Sequence, residues 1–152
     1  MSWCGLGVYI VFLLFLLVGF GFAGQGEVII AARKFFSALN RRDYETAYFR
    51  LTRKLRLEVS LEEFKTTAES IEGVRVLRFE IKENYSRLVR IVLKARVFLW
   101  YEGELYDAIY EGKATLIKER NFWKLDACEL EPTRQEKAKS GKELKKIEFR
   151  AN

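Results

Sequence analysis

One stretch of the chain, residues 87–101, carries an apolar or aromatic side chain at every second position. It reads RLVRIVLKARVFLWY; every odd-numbered position from 89 onward is apolar or aromatic, and the even positions include Arg90, Lys94 and Arg96. Alternation with a period of two is typical of a β-strand that buries one face and exposes the other. The stretch therefore predicts a long strand that crosses a whole sheet, with its odd-numbered residues in the core.

The turn after this strand fixes its pairing with the next one. Glu102-Gly103 has glycine in the second position, as a type I′ hairpin prefers. A hairpin closed there sets Leu99 opposite Tyr106 and Lys94 opposite Glu111, so that apolar groups face one another and opposite charges meet. The same register pairs Ala95 with Tyr110, Leu93 with Gly112 and Val89 with Leu116.

Strands are also predicted on both sides of this hairpin. The segment 74–83 carries Leu77, Phe79 and Ile81 on one face, and a short loop at 84–86 would place Ile81 opposite Val89. Phe79 would then lie opposite Ile91. The last strand is predicted to place Trp123, Leu125 and Ala127 opposite Lys118, Leu116 and Ala114.

Apolar residues recur at helical spacing before the strands begin. They predict a helix over 27–40, followed by a second helix with Asp43 as its N-cap. Ser60 and Glu63 form a capping box that starts a third helix. The stripe of the first helix consists of Val28, Ala32, Phe35 and Leu39. The sequence thus predicts an α+β fold, with three helices packed on one face of a four-stranded antiparallel sheet.

The N-terminal segment 1–24 is of a different kind. It carries no charged residue from Trp3 to Gly24, and an apolar run of this length can span a bilayer. We expect a transmembrane anchor here, formed by a hydrophobic helix, and a domain that lies outside the cytoplasm. A cleaved signal stays open because Gly21-Phe22-Ala23 fits a cleavage site, and a cytoplasmic orientation stays open because basic residues follow the run.

The remaining chain divides into a domain at 25–130 and a tail at 131–152. The tail is polar and highly charged, which predicts a flexible segment. The whole chain has a net charge of +6, 32% charged residues and one proline, a balance common in thermophile proteins.

The residues needed for common site chemistry are scarce. The chain has no histidine, and its two cysteines, Cys4 and Cys128, lie in segments that are not expected to meet. The sequence therefore predicts no catalytic residue, metal site or cofactor.

A basic cluster around the second helix suits either a phosphate-rich partner or a solvated face, and the absence of an RNA-binding signature argues against nucleic acid. It consists of Arg41, Arg42, Arg50, Arg53, Lys54 and Arg56.

Two sets of aromatic and apolar residues are candidate binding sites. On the inner face, small residues in the third strand could leave a pocket or allow close packing. The pocket candidates are Tyr44, Tyr48, Tyr106, Tyr110 and Trp123. On the outer face, an apolar patch with a charged rim has the composition of a dimer interface. The interface candidates are Phe98, Trp100, Leu105 and Ile109.

The phrases AARKFFSALNRRDYETAYFRLT, SLEEF and FWKLDACEL, in this order around four long strands, resemble the NTF2-like superfamily over about 27–130. The resemblance implies a sheet curved into a cone around a helix, often with a pocket, and dimers formed through the outer sheet face. Enzymes of that superfamily use Asp, Tyr or His inside the cone. Here histidine is absent and the predicted register turns Asp107 and Asp126 outward, so we expect a protein that is not an enzyme.

Two functions stay open from the sequence. In the first, the domain is a membrane-anchored binding or assembly module of a cell-envelope complex, like the membrane-tethered NTF2-like subunits of type IV secretion systems. In the second, the cone binds a small apolar ligand that the tyrosine hydroxyls orient. Whether the purified chain carries a bound molecule distinguishes the two.

Overall fold

The computed structural model describes residues 24–141 and 143–151, which form five helices and one five-stranded sheet. The strands follow one another in chain order, and each pairs antiparallel with the next. The helices are α1 (24–40), α2 (Tyr44–Phe49), α3 (Arg53–Glu58), α4 (Leu61–Ala68) and α5 (Arg134–Ser140). The strands are β1 (Ile71–Asn84), β2 (Leu88–Tyr101), β3 (Glu104–Glu119), β4 (Phe122–Pro132) and β5 (Ile147–Phe149). The predicted α+β class is confirmed.

The helix caps lie where the sequence predicts them. Asp43 accepts a hydrogen bond from the Thr46 amide, and Ser60 and Glu63 complete a capping box at α4. The prediction of three helices before the sheet missed α3, since the described chain has four there. Thr52 caps α3, but this short helix buries only Leu55, so it leaves no apolar stripe in the sequence.

The strand predicted at 87–101 is β2, and its facing is confirmed. Its odd-numbered residues from Val89 to Leu99 are all buried. The register of β2 with β3 is also the predicted one, and Lys94 Nζ lies 3.1 Å from Glu111 Oε1. The apolar residues at every second position of β2 and the two-residue turn favour the one register that keeps this row of β2 in the core.

The register predicted for β1 is wrong by two residues. Ile81 lies opposite Ile91 rather than Val89, and Phe79 lies opposite Leu93. Three β-bulges, between 71 and 73, 76 and 78, and 81 and 83, each add an extra residue to β1. Leu77 is the extra residue of the middle bulge, so it is exposed instead of facing the core.

A bulge also changes the second half of β4. Trp123 lies opposite Lys118 and Leu125 opposite Leu116, as predicted, but Cys128 rather than Ala127 lies opposite Ala114. The register shifts at Asp126, which has no partner on β3. The residue that this bulge turns into the core is therefore Cys128, which is completely buried.

The segment after 131 is folded, which corrects both the predicted flexible tail and the predicted number of strands. It forms α5 and then β5, which pairs Phe149 with Cys128 and Ile147 with Leu130. The Phe149 ring lies 5.8 Å from Phe35 and 5.3 Å from Phe64, centroid to centroid. Among its described residues, Leu144, Ile147 and Phe149 are buried in the core, too few to stand out in so charged a segment.

The predicted hydrophobic helix at 1–24 lies, except for Gly24, outside the described residues. Within the described ranges, no helix is both long enough and apolar enough to cross a membrane.

Candidate functional site

The inside of the fold is built from apolar side chains of both layers. Phe35 of α1, Phe64 of α4 and Phe149 of β5 pack together under the sheet. The polar side chain of Thr52 is also buried there. It donates a hydrogen bond to Asp126 Oδ1 at 2.8 Å and accepts one from the Leu55 amide. The buried polar group is thus bonded within the fold, as buried polar groups usually are.

The predicted pocket tyrosines bond to separate parts of the chain. The Tyr48 hydroxyl lies 2.8 Å from the Val59 carbonyl oxygen, and the Tyr110 hydroxyl donates to the Lys145 carbonyl oxygen at 2.9 Å. Burial raises the pKa of Tyr110 to about 12. Tyr106 donates instead to the exposed Glu104 carboxylate. These three hydroxyls are therefore not brought together around one ligand position.

Two of the pocket candidates differ from the others. The Tyr44 hydroxyl and the Trp123 indole nitrogen are buried and form no hydrogen bond with any described residue. Buried donors without a protein partner destabilise a fold unless another group satisfies them. They are the described atoms of the predicted pocket that a polar ligand atom could still contact.

Gly112 brings two strands together instead of opening a cavity. A Cβ atom placed on it would lie 1.7 Å from the Glu129 carbonyl oxygen, far inside van der Waals contact. This position of β3 therefore lets the backbone of β4 approach closely. The neighbouring small residues Ala108 and Ala114 are buried in the same core.

The two aspartates that the sequence predicts to face outward, Asp107 and Asp126, are both hydrogen-bonded to other side chains. Asp107 accepts a hydrogen bond from Arg96 Nε at 2.7 Å, and this interaction lowers the pKa of Asp107. Asp126 accepts from Thr52 at the bulge of β4. No three metal-ligating side chains come together anywhere in the described ranges.

The outer face of the sheet carries the four interface candidates. Trp100 and Leu105 are directly opposite each other and are 45% and 47% exposed. Phe98 is half-buried, and the Arg96 guanidinium carbon lies 5.3 Å from the centroid of its ring. Ile109 lines a cavity of about 460 Å³ whose other wall includes α5 residues. The patch is therefore open at Trp100 and Leu105 and flanked by α5 at Ile109.

The predicted basic cluster is divided in the structure. Arg41 donates to Ser37 Oγ at 2.9 Å and Arg42 pairs with Glu72, so both arginines have partners within the described chain. Arg50 and Arg56 instead adjoin Lys124 of β4, a residue that sequence reasoning missed. No short-range signal could have indicated it, because the contact joins residues far apart in the chain.

Structural comparison identifies the architecture. A candidate dehydratase of the NTF2-like family from Streptomyces avermitilis superposes with a TM-score of 0.52 and 13% identity, covering 66% of this chain and 90% of that protein. A candidate scytalone dehydratase from Novosphingobium aromaticivorans gives 0.57 and 14%, covering 74% and 86%. The fold is NTF2-like. A Mycobacterium tuberculosis protein of unknown function shares the NTF2-like fold at 0.55 and 11%, covering 71% and 70%.

The likeness concerns the fold alone. No known family profile matches the sequence, and no curated protein matches it significantly. NTF2-like proteins include candidate enzymes, so enzymatic activity is possible in this architecture. A fold shared at such low identity carries no catalytic residues with it, and function has to be argued from the side chains.

Proposed function

We propose that this chain is a membrane-anchored NTF2-like module that binds or assembles envelope proteins without catalysing a reaction. The observation that carries the proposal is the chemistry of the described interior. The buried polar side chain of Thr52 is bonded to Asp126 and Leu55. Acid–base catalysis needs a titratable group held near the reacting atoms, with a pKa near the working pH.

The two most buried titratable groups do not meet this requirement. Burial raises the pKa of Tyr110 to about 12, and burial, with the nearby Glu129 charge, raises that of Cys128 to about 12. Both groups are protonated at neutral pH and are poor bases and nucleophiles. This supports a binding role over a catalytic one.

The anchor is proposed from the uncharged run at 3–24. A run of this length matches the hydrocarbon thickness of a bilayer, and a folded domain that follows can be translocated with little regard to its charge. We therefore place the domain on the extracytoplasmic side. Full-length protein should stay with the membrane fraction after carbonate extraction, and recovery of intact chain in the soluble fraction would contradict the anchor.

A second candidate function is the binding of a small apolar ligand between the helices and the sheet. The buried, unpartnered Tyr44 hydroxyl and Trp123 indole nitrogen favour it, since both donors would be satisfied by a ligand acceptor. Native mass spectrometry of the full chain released from detergent separates the two functions. The assembly module should appear at the mass of the protein alone, whereas a stoichiometric added mass would establish the ligand binder.

A further inference from the structure

Two cationic side chains contact Phe49 at the end of α2, and a third belongs to the next residue in the chain. Lys124 Nζ donates to the Phe49 carbonyl oxygen at 2.7 Å, and the Arg56 guanidinium carbon lies 5.4 Å from the centroid of the Phe49 ring. Arg50 is the next residue after Phe49, and its carbonyl oxygen accepts from the Leu125 amide at 2.9 Å. We call Arg50, Arg56 and Lys124 the cationic cluster.

The cluster is not neutralised within the described part of the chain. Neither Arg50 nor Arg56 forms an ion pair there, and the Nε atoms of both are buried without a hydrogen-bond acceptor. The charge of Glu119, whose Oε1 accepts from the Arg53 amide at 2.7 Å, raises the pKa of Lys124, but by less than either arginine lowers it. Two guanidinium groups that lack a carboxylate partner are costly in a partly buried setting, so they favour an anion from outside.

The positive charges of the cluster repel one another. Burial lowers the pKa of Lys124, and the charges of Arg56 and Arg50 lower it further. An anion bound between the three groups would remove this repulsion.

We propose that the cationic cluster is a binding site for a phosphate group, supplied either as a free anion or as the headgroup of an anionic lipid. The terminal Nη–H groups of the two arginines and the remaining Lys124 protons are the donors. Arginine suits phosphate because its planar fork matches the phosphate oxygens, and lysine adds a point charge. The site lies away from the outer sheet patch and from the interior, so it is separate from the function proposed above.

Exposed apolar side chains border the cluster and bear on the source of the phosphate. Phe49 is 57% exposed, and Leu57, the neighbour of Arg56 in α3, is 77% exposed. Phe122 is 68% exposed and shares a face of β4 with Lys124, two residues later. Unpaired cations beside exposed aromatic and aliphatic groups are the composition of surfaces that bind anionic bilayers.

The test uses the full chain in a neutral maltoside detergent, at fixed ionic strength because screening weakens exposed charges. Calorimetric titration compares inorganic phosphate, dihexanoyl phosphatidic acid and dihexanoyl phosphatidylcholine. We expect saturable binding of a phosphate probe and none of the zwitterionic lipid. Arg56→Gln and, independently, Lys124→Gln should each weaken binding about tenfold, the size expected for one charged hydrogen bond. Circular dichroism checks that each variant is folded.

Lys54→Gln is the matched control. It removes the same charge from an exposed position of α3 outside the cluster, and it should change the affinity by less than about twofold. Binding of phosphatidic acid without binding of inorganic phosphate would support the site with a lipid headgroup as its source, and Phe49→Ala should then weaken it. Equal binding of both probes would support it with free phosphate. Failure of both probes to saturate, or an equal loss in Lys54→Gln, would overturn the proposal.

Discussion

Gly112 and Gly73 are two glycines in strands of one sheet, and their surroundings differ sharply. A Cβ on Gly112 would meet the Glu129 carbonyl oxygen at 1.7 Å, whereas one on Gly73 would have its nearest contact at 3.6 Å, with the Phe98 ring. Backbone cannot move aside as a flexible side chain can, so the first contact forces β3 and β4 apart.

We therefore expect Gly112→Ala to lower the free energy of unfolding by about 3 kcal/mol or more, the upper range for overpacking. Gly73→Ala should change it by less than about 1 kcal/mol, because its new methyl group makes ordinary contacts. Chemical denaturation of both variants measures the difference. Equal costs would show that β3 and β4 are farther apart at this position than the structure has them.

Tyr110 predicts a dependence of stability on alkaline pH. The unfolded chain releases this proton near pH 10.0, whereas burial holds the folded-state pKa at about 12. Between these values the unfolded state binds fewer protons, so the stability contribution present below pH 10.0 is lost as the pH rises. Tyr110→Phe should cost about 1 kcal/mol at neutral pH, through the lost hydrogen bond to Lys145, but should lose less stability above pH 10.0 than the unmodified chain.

Thermal unfolding as a function of pH checks this, with Tyr85→Phe as the control. Tyr85 is 61% exposed, so this control removes the same hydroxyl from the surface instead of from the core. Parallel slopes for the unmodified chain and Tyr110→Phe would mean that Tyr110 does not titrate differently in the folded state.

At the scale of the elements, the features that could be predicted are those that a local residue pattern encodes. The β2–β3 hairpin was predictable residue by residue, because its alternation is unbroken and Glu102 and Gly103 both adopt the positive φ of a type I′ turn. The bulges of β1 and β4 were not predictable from the pattern. The extra residues they leave, such as Leu77 and Asp126, look like ordinary members of the strand.

The candidate sites follow the same division. Trp100 and Leu105 could be placed on the outer face because they belong to the regular hairpin. Lys124 could not be joined to Arg56, because no local spacing links β4 to α3. The same holds for β5, whose inward residues Ile147 and Phe149 give one step of alternation, too short to distinguish a strand from a charged linker.

Strand β5 provides the prediction at this scale. Phe149 packs between Phe35 and Phe64, so Phe149→Ala should cost about 3–5 kcal/mol, the range for truncating a buried phenylalanine. The adjacent Arg150 is exposed, and Arg150→Ala should cost less than about 1 kcal/mol despite its ion pair with Glu129. Denaturant titration of the two variants compares them. A small effect of Phe149→Ala on stability would instead support the flexible tail that the composition predicts.

At the scale of the whole molecule, the sheet has one face covered by helices and one face that is partly open. Trp100 and Leu105 form the open apolar part, and charged pairs such as Arg96 with Asp107 and Lys94 with Glu111 surround it. An apolar centre within a charged rim is the usual composition of a homodimer interface. We therefore propose that two copies pair through this face.

Leu105→Glu is the sharpest test of this pairing. The obvious alternative, Trp100→Glu, would place a second carboxylate beside Glu72, which now accepts from the Trp100 indole at 3.0 Å. We expect the full chain to sediment as a dimer in density-matched detergent, and Leu105→Glu to sediment as a monomer because burying an unpaired charge costs more than the patch contributes. Leu77→Glu, equally exposed at 49% but on the β1 bulge, should remain dimeric. A monomeric unmodified chain, or dissociation by both substitutions, would exclude the outer face as the contact.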